Sequence, residues 1–146
     1  MKWIIQLTTL ATLAAIPLPA IAAPTPALMY KNPSCSCCET YAAYREQNGF
    51  KVDIKPTNDL EQISSRLGVP DALQGCHTVV IDGYLIDGFV PADVVKKMLS
   101  ERPAITGIAL VGMPMGSPGM GGPKTEPFTI QAFTTPDSPP TVYAVE

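Results

Sequence analysis

Basic residues, histidine and tryptophan are scarce in this sequence of 146 residues, which holds 10 Lys+Arg against 13 Asp+Glu, one His and one Trp. With no run of Lys or Arg, the footprint that neutralises phosphates is missing, so no nucleic-acid partner is expected. No pair of positioned carboxylates, no Ser-His-Asp set and no nucleotide-binding glycine loop is found. Glu39, Asp71 and Asp82 read as cap, loop and turn residues. What the chain does have is sulfur, as four Cys and six Met beside the single His77. That balance favours soft ligands over the imidazole and carboxylate groups of most hydrolytic metal sites.

The only long apolar stretch is at the start. Lys2, the run from Trp3 to Ile16 and the small-x-small triplet Ala20-Ile21-Ala22 predict a signal peptide over residues 1–22, cleaved after Ala22 or Ala23. Thr8, Thr9, Thr12, Pro17 and Pro19 interrupt the stretch, which falls short of the roughly 20 apolar residues of a spanning helix. The mature chain is therefore expected in the bacterial periplasm or an equivalent exported space, without membrane insertion. That space is oxidising, so four Cys would ordinarily form two structural disulfides.

Ala27 to Lys31 predicts a short strand running into the cysteine turn. Ser36 with Glu39 three residues on fits a capping box, predicting a helix from near Cys37 to Asn48 with Gly49 as its stop. Phe50, Val52 and Ile54 alternate with charged residues and predict a strand. A second helix enters at Asn58, carries Leu60, Ile63 and Leu67 on one stripe, and ends at Gly68 and Pro70. Thr78 to Asp87 predicts a hairpin around Asp82-Gly83, and a last helix starts at Pro91 with Val94, Val95, Met98 and Leu99 on its buried face. The succession β-α-β-α-β-β-α over residues 27–102 predicts an α/β sandwich of thioredoxin-like type. Residues 103–146 hold 8 of the 16 prolines and read as an irregular Pro/Gly/Met-rich tail packing on the domain. Thr129–Phe133 and Thr141–Val145 are candidates there for short edge strands, although Pro136, Pro139 and Pro140 argue against regular structure between them.

Cys35, Cys37 and Cys38 fall at a strand-to-helix turn. Cys37 and Cys38 are neighbours with Cα atoms about 3.8 Å apart, short of the usual disulfide span of roughly 4.4 to 6.8 Å. Three thiols in four residues are better placed to converge on metal, and a helix start favours thiolates. In the predicted fold the segment entering the third strand brings Cys76 and His77 to the same helix end. His77 would bind through one neutral ring nitrogen, the other being oriented by an acceptor that the sequence does not identify. Met113, Met115 and Met120 lie among Gly and Pro, where they cannot form a helical stripe, and thioether ligation selects copper(I). Gap-filling against the domain is the competing role for each of these methionines, while Met29 and Met98 are expected in the core.

Together, C-x-C-C after the first strand, Cys76-His77-Thr78 before the hairpin and the Met113–Met120 loop resemble a family of exported bacterial metal-binding proteins. That family, formerly of unknown function, includes the CopG-like copper-resistance proteins, and the resemblance covers about Tyr30 to Met120. It implies a thioredoxin-like fold and copper handling in the periplasm, beside copper-efflux and copper-oxidase systems. It also implies a thiolate cluster of more than one copper ion, held by Cys35, Cys37, Cys38, Cys76 and His77, with Met113, Met115 or Met120 completing the site. The sequence leaves open whether a copper or thiol oxidoreductase activity accompanies binding. A thiol-disulfide oxidoreductase using the C-x-x-C pair Cys35 and Cys38 is the principal rival.

Overall fold

The computed structural model describes residues 23–146, so the expected signal peptide, residues 1–22, lies outside the described residues. The elements are β1 (Thr25–Lys31), α1 (Ser36–Gln47), β2 (Phe50–Pro56), α2 (Leu60–Leu67), β3 (His77–Ile81), β4 (Tyr84–Gly88), α3 (Ala92–Glu101), β5 (Gly107–Leu110), β6 (Thr129–Phe133) and β7 (Thr141–Val145). A 3-10 turn at Asp71–Leu73 joins α2 to β3. One sheet has the order β2-β1-β3-β4-β5-β6-β7. The pairs β1/β2 and β4/β5 are parallel, and the other neighbours are antiparallel. The mixed α/β class and the β-α-β-α-β-β-α succession up to α3 follow the expectation.

Helices cover both faces of the sheet. Met29, Val79, Ile81, Ile86 and Ile108 pack against Tyr41 and Ala42 of α1 and Val94, Val95 and Met98 of α3. On the other face Leu85, Ala109 and Phe133 meet Val69 and Leu73 from the segment after α2. The β3–β4 turn places Asp82 at φ 48° and Gly83 at φ 85°, the paired positive φ of a primed hairpin turn.

Two expectations need correction. The region 103–146 is not an irregular tail throughout, because β5 pairs with β4 and is buried along its whole length, and β6 and β7 continue the sheet. The two candidate strands are present over the expected residues, but only β7 lies at the sheet edge, β6 being paired with both β5 and β7. The segment Gly107-Ile108-Ala109-Leu110 escapes notice because a strand covered on both faces shows no alternation. Residues 111–128, with the methionine loop, carry no helix or strand. The second correction concerns the start of α1. Cys35, not Ser36, is the N-cap, its Sγ accepting from Cys38 N at 3.2 Å.

Candidate metal centre

Two arms of the chain meet where β1 and β3 lie side by side. In the antiparallel register Lys31 faces His77, and Asn32 N donates to Cys76 O at 3.0 Å just beyond it. The turn after β1 is thereby tied to the residue before β3, and the sulfurs of α1's first turn stand over Cys76. All four Sγ atoms lie within 4.8 Å of one another. Cys76 Sγ is 3.3 Å from Cys35 Sγ and 3.2 Å from Cys38 Sγ, and Cys37 Sγ is 3.4 Å from Cys35 Sγ.

Cys35 and Cys38 are joined as a disulfide, while Cys37 and Cys76 are free. All four sulfurs were expected as ligands. The bridged pair can donate thiolates only after reduction, so the structure holds an oxidised form of the cluster. This single bridge lies within the cluster and does not staple distant segments. Burial pushes the Cys76 thiol up to about 11, with the nearby Cys37 adding to the effect. A soft metal binding there would displace the proton.

His77 is fully buried. Its Nε2 donates to Gly88 O at 3.0 Å, because a carbonyl can only accept. This is the orienting acceptor that the sequence could not identify. The tautomer so fixed leaves the Nδ1 lone pair directed at Cys38 Sγ, 3.4 Å away, and at Cys76 Sγ, 3.7 Å away. Burial lowers the imidazole pKa to about 4, opposed by the bond to Gly88, so the ring is neutral as a ligand must be. Tyr41 and Phe89 flank it at centroid distances of 4.8 and 4.9 Å.

Two buried charged residues hold the arms, and the sequence reading missed both. Lys31 Nζ donates to Asn32 O at 3.2 Å and Pro33 O at 3.4 Å, and lies 3.3 Å from Glu39 Oε1. It grips the turn and the first turn of α1 together, so Glu39 pairs with Lys31 and does not act as a capping-box residue. A signal was available, since Lys31 continues the inward alternation of Ala27 and Met29. Asp87 accepts from Gly75 N and from Thr78 Oγ1, both at 2.6 Å, and Thr78 Oγ1 is 2.7 Å from Ser64 Oγ. Burial raises its carboxyl to about 7, against the two bonds that lower it. No local pattern marks Asp87, which reads as a strand-end residue.

The methionines divide. Met113 and Met115 are 58% and 55% exposed, so the structure places both at the surface. Met120 is half-buried and packs against the main core. The adjoining Gly119 has φ +87°, and a Cβ there would lie 3.0 Å from Tyr41 N and 3.1 Å from Cys37 O. The loop therefore touches α1 beside the cysteines at Gly119, where the positive φ and the close approach both favour glycine. Met29 and Met98 are core residues, as expected.

These features define a mixed α/β protein with a four-sulfur, one-imidazole donor group at a helix tip, a donor set suited to a soft metal. A family model described as "Protein of unknown function, DUF411" matches residues 73–120. A solved structure described as copper resistance protein CopG, form 1, is 36% identical, with a TM-score of 0.76, and the match covers 84% of this chain and 98% of that one. Form 2 is 37% identical with the same coverage and TM-score. Comparison with curated proteins gives no match. The chain belongs to the family of the CopG copper resistance proteins.

Proposed function

We propose that the protein binds copper(I) in the periplasm and sequesters it or hands it on. Its donors would be Cys35, Cys37, Cys38, Cys76 and His77, with Met120 as the tail thioether whose segment reaches the site. The observation that carries this role is the convergence of four sulfurs within 4.8 Å, with a neutral imidazole nitrogen turned toward two of them. Thiolate, imidazole and thioether together match a soft monovalent ion. Four thiolates carry more negative charge than one such ion offsets, which supports bridging sulfurs and more than one copper. The names of the related structures point the same way. The strand order β2-β1-β3-β4, with β3 antiparallel to β1, supports a thioredoxin-type core. The expected signal peptide supports export, which fractionation of cells expressing the full chain tests. Copper-efflux and copper-oxidase proteins are the partners that such a role suggests.

The Cys35–Cys38 bridge favours a second reading, a thiol-disulfide oxidoreductase. The two roles share one step, in which a pair of small thiols reduces the bridge, yielding two cysteine thiols and one small-molecule disulfide. Competition of the reduced protein against a chromophoric copper(I) chelator, with metal counted per chain, tests the first role. Withdrawal of copper from the chelator supports it, and a chelator that keeps all its copper overturns it. Copper-independent reduction of a disulfide substrate such as insulin would support the second.

A further inference from the structure

A polar cleft of about 430 Å³ opens beside the cluster. Asn58 and Glu61 stand at the α2 end, Asp71 and Gln74 line its side, and Cys76 forms part of its wall. A larger cavity lies over β1 and β2, but no residue of the cluster lines it. We infer that the cleft is the route by which a soft monovalent cation reaches and leaves the sulfurs, with Cys76 as the first thiolate to take it. This route presupposes the copper-binding role proposed above.

Three observations support the assignment. Cys38 and His77 are fully buried, so neither can meet an incoming ion first. Cys35, Cys37 and Cys76 are all half-buried, but of these only Cys76 lines the cleft, and its sulfur lies 3.3 Å from Cys35 Sγ, 3.2 Å from Cys38 Sγ and 3.7 Å from His77 Nδ1. An ion held there can pass to the buried donors by exchanging one ligand at a time. The tail loop touches α1 on the side of Cys37 and Tyr41 through Gly119, whereas the cleft approaches from the side of α2.

The chemistry of the walls suits a cation in transit. Glu61 and Asp71 line the cleft and supply negative charge, which raises the local concentration of an approaching cation. Asp71 Oδ1 is held by Ser65 and Gln74, which keeps the carboxylate in place. At about 30 Å³ per water the cleft admits an ion with part of its hydration shell. The side-chain oxygens of Asn58 and Gln74 can replace water as the ion sheds it. These hard oxygen donors bind a soft ion weakly, so it moves on to sulfur.

The test is kinetic and uses silver(I), a soft monovalent ion with no accessible redox change, added as silver nitrate in chloride-free buffer. The reduced protein is mixed rapidly with silver, and the rise of thiolate-to-metal ultraviolet absorption gives the loading rate. The double variant Glu61→Gln, Asp71→Asn should load about tenfold more slowly at low ionic strength. In about 0.5 M sodium nitrate the deficit should shrink to less than about twofold, because the charges are then screened. Asn58→Trp, which narrows the mouth, should slow loading at every ionic strength. Both variants should reach the wild-type amount of silver per chain. Wild-type rates in both, with full loading, overturn the route and leave the metal site standing. Reduced final loading in the variants also overturns it, since the residues would then act on the site itself. If the unaltered chain takes up no silver, route and metal site fall together.

Discussion

Asp87→Asn should expose a pH dependence of stability that two buried groups otherwise hide. The Asp87 carboxyl has its pKa raised from 3.8 to about 7, chiefly by burial. The native state then holds this proton more tightly than the unfolded chain. Its contribution to stability is fully present below about pH 4 and is lost as pH climbs through about 7. His77 runs the other way, its pKa lowered by burial from 6.5 to about 4. Its contribution is fully present above about pH 6.5 and is lost as pH falls through about 4. At about 1.4 kcal/mol per unit, the carboxyl amounts to about 4 kcal/mol and the imidazole to about 3 kcal/mol. Over the same pH window the two slopes nearly cancel.

An Asn at position 87 can still accept from Gly75 N, and its amide can donate to Thr78 Oγ1, leaving the Thr78 hydroxyl free to donate to Ser64. The substitution thus removes the titration while keeping the packing. Urea unfolding of the reduced, metal-free protein at steps of pH gives the difference in stability, variant minus parent. Groups common to both proteins drop out of that difference. It should climb by about 4 kcal/mol between about pH 4 and pH 7 and level off above about pH 8. A difference that stays constant across the window refutes the reasoning, because Asp87 would then titrate alike in the folded and unfolded chains.

In denaturant without reductant, thiol titration should find the two free cysteines, Cys37 and Cys76, and all four after reduction. Four without reductant would refute the bridge. Cys37→Ser should lower the number of copper ions bound per reduced chain in the chelator competition. Unchanged stoichiometry would confine the site to Cys35, Cys38, Cys76 and His77. His77→Ala should weaken copper(I) binding about tenfold. It should also lower stability by about 2–4 kcal/mol, since it opens a cavity between Tyr41 and Phe89. Wild-type affinity in that variant would remove the imidazole from the ligand set.

Signals of regular period carried the sequence reading. The alternation from Phe50 to Ile54, the stripe of Leu60, Ile63 and Leu67, and the Asp82-Gly83 turn each gave an element that the structure contains. Placing Cys76 and His77 at the cysteine turn followed from the expected fold of the sheet, and the geometry agrees. What stayed hidden has no such period. β5 is four buried residues without alternation, set in a glycine- and proline-rich stretch. Gly88 O, which fixes the His77 tautomer, and Asp87, which holds Gly75, act through contacts eleven and twelve positions away in sequence. The C-x-x-C spacing, by contrast, did mark Cys35 and Cys38 as a redox pair, and the structure joins them.

Lys31 and Asp87 hold the two arms of the chain so that the same sulfurs can be joined as a disulfide, as here, or freed for the metal-binding role proposed above. Lys31 lies on the sheet face that carries His77 and α1, and it holds the carbonyls of Asn32 and Pro33 together with Glu39. Asp87 lies on the opposite face beside Thr78, and it holds Gly75, one residue before Cys76. Each arm is thus anchored through backbone and carboxylate contacts that involve no sulfur. The Cys35 Sγ cap on Cys38 N needs only a sulfur lone pair, which a bridged sulfur and a thiolate both offer. Opening the bridge therefore requires side-chain rotation and no rebuilding of the turn. A site held in this way loses little conformational freedom when it closes on metal, which is the condition for tight binding by a small number of donors.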